Sequence, residues 1–104
     1  MKIKIYQIDE TKDVKAVMFT DYSRHVKRAG KVVKDIYKEV FQGEIKNPES
    51  DIMRALDFVF VLFNVHLDMF PDYKGHSLSV SDVVIVDGVP YYVNTFEFVK
   101  LETF

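Results

Sequence analysis

Apolar and polar positions alternate from the start of the chain: Ile3, Ile5 and, less strictly, Ile8 are set among Lys2, Lys4 and Gln7. A period of two predicts a half-buried strand. Lys12 and Asp13 mark a polar turn, and Val14 to Phe19 is a second strand candidate. Thr20 or Asp21 is placed to cap a short helix reaching about Arg28, with Gly30 as its C-terminal glycine. Between Lys34 and Ile45, the apolar positions Ile36, Val40 and Phe41 predict a strand over Ile36 to Phe41. A helix is the alternative there, because Lys, Glu and Asp tolerate helices better than strands.

Asn47-Pro48-Glu49 reads as a helix start, with Asn as cap, Pro at the first helical position and acids near the positive end of the dipole. Ile52, Leu56, Val59, Phe60 and Phe63 follow at helical spacing, with Asp51, Arg54 and Asp57 as the polar side. After Asp57 that polar side disappears, because Phe58, Val61 and Leu62 fill it. A helix apolar all round must be covered all round. Either the domain covers it or another chain does.

A loop is expected over residues 65–76, which hold Pro71 and Gly75. Val83 to Val86 and Val89 to Thr95 flank Asp87-Gly88, the favoured two-residue hairpin turn. Pro90 stands in the second strand opposite Ile85 and has no N–H to donate, so its outer flank should be an edge or an interrupted ladder. Phe96, Phe98 and Leu101 continue the apolar alternation. The sum is an α+β domain of residues 1–104: a mainly antiparallel sheet, with a C-terminal Asp-Gly hairpin, packed against one principal helix.

At 104 residues and 48% apolar, the chain has the material for one core. It has no cysteine, which excludes disulfides and thiolate chemistry. The N-terminus has no apolar signal core, and the run Phe58 to Phe63 is far too short for a bilayer, so a soluble, intracellular protein is expected. The net charge of −2 hides an asymmetry. Residues 1–50 hold 11 Lys and Arg against 8 Asp and Glu, whereas residues 51–104 hold 3 against 8, a division of +3 and −5.

The most specific stretch is Gly75-His-Ser-Leu-Ser-Val-Ser-Asp82-Val-Val, with Phe63-Asn64, Pro71-Asp72-Tyr73 and Tyr92-Val93 around it. Together with Tyr37, Val40, Phe41, Gly43 and Ile45, and with the opening Ile5-Tyr6-Gln7, it resembles the YodL-like family. The resemblance implies a small protein carried by phages, plasmids and other mobile elements of bacteria. It departs at the end, where Asn94, Glu97 and Phe98 stand for an expected Asp-x-x-Gly-Phe. A Gly position held by Glu97 implies no positive-φ turn there. The family brings no agreed catalytic residues, so no site is carried over.

In the family motif (Gly75, His76, Ser77, Ser79, Ser81 and Asp82) the residues themselves favour a structural turn. Leu78 and Val80 point inward and the serines outward, while Ser81 and Asp82 accept backbone N–H groups. The competing reading makes Ser79 or Ser81 a nucleophile with His76 and Asp82. Neither serine has the glycine-flanked elbow of a hydrolase, so no catalytic residue is assigned. His66, Asp68, Asp72 and His76 carry metal-ligating types, but their spacing matches no standard zinc or calcium loop. No phosphate-binding glycine loop occurs. No enzyme, metal or cofactor is expected.

Arg24, Lys27, Arg28, Lys31 and Lys34 form a basic patch, helical in spacing as far as Gly30. A solvated face is the ordinary reading, and contact with phosphates or an acidic surface is the functional one. The leading expectation is a non-enzymatic accessory protein that binds a host or element protein through Phe58, Val61, Leu62 and Phe70. Inhibition of a defence system, restriction or CRISPR, is the role that the mobile-element resemblance implies. A nucleic-acid-binding factor using the basic 24–34 patch is the alternative, and self-association through the apolar residues stays open.

Overall fold

The computed structural model describes residues 1–46 and 50–104. Five strands form one antiparallel sheet in the order β2-β1-β3-β4-β5, comprising β1 (Lys2–Ile8), β2 (Tyr37–Glu44), β3 (Val83–Val86), β4 (Val89–Val93) and β5 (Phe98–Lys100). Two helices accompany it, α1 (Tyr22–Ala29) and α2 (Ile52–Val65). The α+β expectation holds.

Strand β1 lies between β2 and β3, and side-chain alternation along it feeds two cores. Ile3 and Ile5 join Leu56, Val59 and Phe63 of α2, with Val84, Val86, Tyr91 and Val93, on one face. Ile8, Val83 and Tyr92 join Val14, Val17, Val32, Tyr37 and Leu101 on the other. The register shift between Ile5 and Tyr6 is a bulge on β2: Phe41 pairs with Ile5 and Glu39 with Tyr6, Val40 is the extra residue, and Val40 and Phe41 both join the core on the α2 face. Bulges of this kind re-aim side chains by leaving one residue out of the ladder.

At Asp87 and Gly88 φ is 48° and 87°, the positive values that a type I′ hairpin requires at both central positions. Pro90 faces Ile85, and its carbonyl accepts from Leu101 N (2.9 Å), while strand β5 ends at Lys100. The ladder on Pro90's outer flank is thus interrupted, as its missing N–H demands. Glu97 is not at positive φ.

Several expectations change. Val14 to Phe19 is not a strand: Val17 N and Met18 N both bond Val14 O, so the segment folds into turns that bury Val14 and Val17. The 34–45 segment is a strand after one 3₁₀ turn at Lys34–Ile36. The Asn47-Pro48-Glu49 start lies outside the described residues. The described helix begins at Ile52, with Asp51 as cap accepting from Met53 N at 3.1 Å. The loop after α2 contains a 3₁₀ turn at Leu67–Met69, and β4 ends at Val93 rather than Thr95.

Candidate functional site

Gln7 is completely buried. Its side-chain oxygen accepts from His76 N at 3.1 Å, and its Nε2 lies 2.9 Å from His76 O, 3.0 Å from Asp82 Oδ2 and 3.1 Å from the Tyr73 hydroxyl. Burying an amide costs free energy unless such partners exist, and here they exceed its two protons. Gly75 is fixed by the same contact, because a Cβ there would sit 2.0 Å from Gln7 Oε1 and 2.9 Å from Val40 Cγ1.

The serine run closes around this amide. Asp82 Oδ2 also accepts from Ser79 N at 2.7 Å, and Ser81 Oγ accepts from Phe19 N at 2.9 Å. Ser81 is 1% exposed at φ 81°, so it does not point outward as the alternation implied. Its carbonyl takes the Tyr37 hydroxyl at 2.7 Å. Leu78 is buried, with its N–H on Phe63 O and its carbonyl on Asn64 Nδ2. Ser77 is exposed, and its carbonyl accepts from Ser79 Oγ at 2.8 Å and faces His76 Nδ1 at 2.7 Å. That carbonyl places the His76 proton on Nδ1. Neither serine hydroxyl bonds to His76.

Desolvation dominates the titration here. It pushes the Asp82 carboxyl up to about 8, against the lowering effect of its bonds from Ser79 and Gln7. The Tyr73 and Tyr37 hydroxyls are raised by burial too. The three separated segments of the motif, 5–7, 37–45 and 63–93, therefore meet at one polar junction. Among the described residues no three His, Asp or Glu side chains gather to hold a metal ion.

The outer face of α2 is different. Val61 is 49% exposed, Val65 68% and Met69, just beyond the helix, 62%. Phe60, expected inside, is also exposed, while Phe58, Leu62 and Phe70 are half-buried against the core. The domain itself thus leaves the apolar second half of α2 partly uncovered. Phe60 shares a notch of about 170 Å³ with Phe96, which is 98% exposed in the 94–97 turn. Phe60, Val65, Met69 and Phe96 were not singled out from sequence. Phe96 was read as part of a strand, and in α2 the aromatic content gives no contrast between faces.

The basic residues belong to three stretches: α1, the segment after its Gly30 cap, and the 3₁₀ turn before β2. Arg24, Lys27 and Arg28 are exposed on α1, where Lys27 and Arg28 in the last turn suit the helix dipole. Arg28 is tied to the Ala16 carbonyl. Lys31 lies beyond the Gly30 cap, and Lys34 sits over the Tyr6 and Phe104 rings at 5.4 and 5.5 Å. Asn94 serves α1 from a distance, its Oδ1 accepting from Tyr22 N at 2.9 Å.

An antiparallel five-stranded sheet clasped by two helices, with a buried glutamine junction, defines a small α+β domain. The chain belongs to the YodL-like family, whose domain model matches residues 2–104. No curated protein and no solved structure matches it significantly. No helix among the described residues is long and apolar enough to cross a membrane.

Proposed function

We propose that the protein is a non-enzymatic accessory protein of a mobile genetic element. It acts in the bacterial cytoplasm by binding another protein, a component of a host defence system such as restriction or CRISPR. The observation that carries the binding reading is the exposure of Phe60, Val61, Val65, Met69 and Phe96 on and beside the second half of α2. Apolar patches of this kind mark interaction surfaces more often than they stay bare. Aromatic and methionine side chains are the usual anchors of such interfaces. Asp57 and Glu97 border the Phe60–Phe96 notch, and Asp68 precedes Met69. The partner is accordingly an apolar patch ringed by basic groups. The defence role rests on the mobile-element character that the family resemblance implies, which is an argument by association.

The test is capture from bacterial extract with tagged protein, after nuclease treatment, comparing wild type with Val65→Glu. A defence component retained by wild type and lost by the variant supports the proposal. Capture that nuclease abolishes, or that the variant retains, overturns it. Co-expression should also restore phage plating on a host carrying that defence system.

A further inference from the structure

The sheet face opposite α2 is covered by α1 and its flanking loops at one end only. At the other end lies a half-open groove of about 580 Å³, lined by Lys2, Lys4 and Tyr6 of β1, Gln42 and Glu44 of β2, Ile85 of β3, and Lys34. The register explains it: Lys2 pairs with Glu44, and Lys4 with Gln42 on one side and Ile85 on the other, so these side chains share one face. Lys2, Lys4 and Lys34 stand against Glu44 within the groove and Glu39, which pairs with Tyr6, at its edge. Among the described residues the one salt bridge is Lys38–Glu10, so none of these lysines lies within 4.0 Å of a described carboxylate.

We infer that this groove binds a short single-stranded nucleic acid, with phosphates on Lys2 and Lys4 and a base against Tyr6 and Ile85. Lys2 and Lys4 are two residues apart on one strand, a spacing of about 7 Å that serves successive charges along an extended ligand. Tyr6, half-buried, edge-on to Phe104 at 5.2 Å and with Lys34 Nζ 5.4 Å from its ring centroid, lines the groove beside them. Cations beside an aromatic on an open sheet face are the elements of single-strand recognition. An acidic peptide would match the lysines but would leave Tyr6 and Ile85 without a planar partner. The inference is independent of the α2 face.

The experiment is a polarisation titration of a labelled short oligothymidylate over a salt series. Wild type should bind with a log–log salt slope of roughly −1.5 to −2, as two or three phosphate contacts require. Lys2→Ser/Lys4→Ser should lose about tenfold in affinity at low salt and flatten that slope. Tyr6→Leu should weaken binding while keeping the slope. Arg24→Ser/Lys27→Ser, on the other basic segment, should bind as wild type does. Melting curves check that each variant is folded, and Lys2 and Lys4 are exposed, so the double variant should be. Absence of saturable binding by wild type overturns the inference, as does a lysine double variant that binds unchanged. Competition by thymidine monophosphate as effective as by the oligomer, or by oligoglutamate as effective, also overturns it, assigning the groove to a free nucleotide or an acidic peptide.

Discussion

Gln7 Nε2 and Asp82 Oδ2 lie 3.0 Å apart although 75 positions separate them in the chain. This contact locks the serine-rich loop to β1, an interior strand of the sheet. It also sets the terms for the protein's response to pH. An aspartate ordinarily titrates near 3.9 when unfolded, whereas burial raises folded Asp82 to about 8. Between those values the folded state holds a proton that the unfolded state has lost. Stability relative to Asp82→Asn should therefore be greatest below about pH 4 and decline as pH rises through about 8. Chemical denaturation of both proteins across that range checks the sign. A difference that stays level would mean that folded Asp82 remains ionised.

His25 should act in the opposite direction. It is buried on α1, its Nδ1 lies 3.1 Å from the Tyr92 hydroxyl, and that hydroxyl donates to Thr20 O at 2.6 Å. The imidazole is thus the neutral tautomer with its proton on Nδ1, leaving Nε2 unpartnered. Burial lowers its pKa. Stability relative to His25→Phe should be fully present above about pH 6.5 and lost as pH falls below it. Denaturation midpoints at mildly acidic and neutral pH measure this. An equal change in both proteins would relocate the acid sensitivity elsewhere.

Gly75→Ala should destabilise by roughly 1–3 kcal/mol, because the new methyl collides with a glutamine whose bonds prevent retreat. Gln7→Ala removes the obstacle along with the bonds. The double variant should consequently be less damaged than the two single costs added together. Strict additivity would indicate that the loop shifts to accept the methyl.

Gly88→Val should cost about 1–2 kcal/mol, since a β-branched residue is strained at positive φ. A Cβ there meets nothing within 4 Å, so backbone strain is the whole effect. Gly88→Asn, which tolerates this region, should lose much less. Equal melting temperatures for all three would contradict the type I′ assignment.

Much of this fold was legible from local pattern. The alternation at Ile3 and Ile5, the Asp87-Gly88 turn and the Gly30 cap each have a local cause, and each appears where expected. Val14 to Phe19 misled because burial there follows a spacing of three, closed by bonds back to Val14 O, which a short apolar run does not distinguish from alternation. Gln7 passed for the polar side of β1, yet it shares the parity of Ile3 and Ile5 and so points inward. Its role needs partners more than 60 residues away, which no local pattern carries. The spacing sets Phe60 inside and Phe58 outside, and the structure reverses them, because a helix apolar on every side offers no contrast between faces. Lys2 and Lys4 are the polar positions of a half-buried strand in the sequence, and only the pairing with β2 and β3 places them along a groove.

Partner binding by the outer face of α2, as proposed above, is tested most directly by Val61→Glu. The measurement is the dissociation constant for the captured partner, taken beside a melting curve. Val61 is half exposed in the isolated chain, so the variant should melt as wild type does. Loss of a buried Val contact, about 1.5 kcal/mol or more, together with burial of a carboxylate should weaken binding at least tenfold. Unchanged affinity in a folded variant would contradict the account, and so would an unfolded variant, which would make Val61 part of the core.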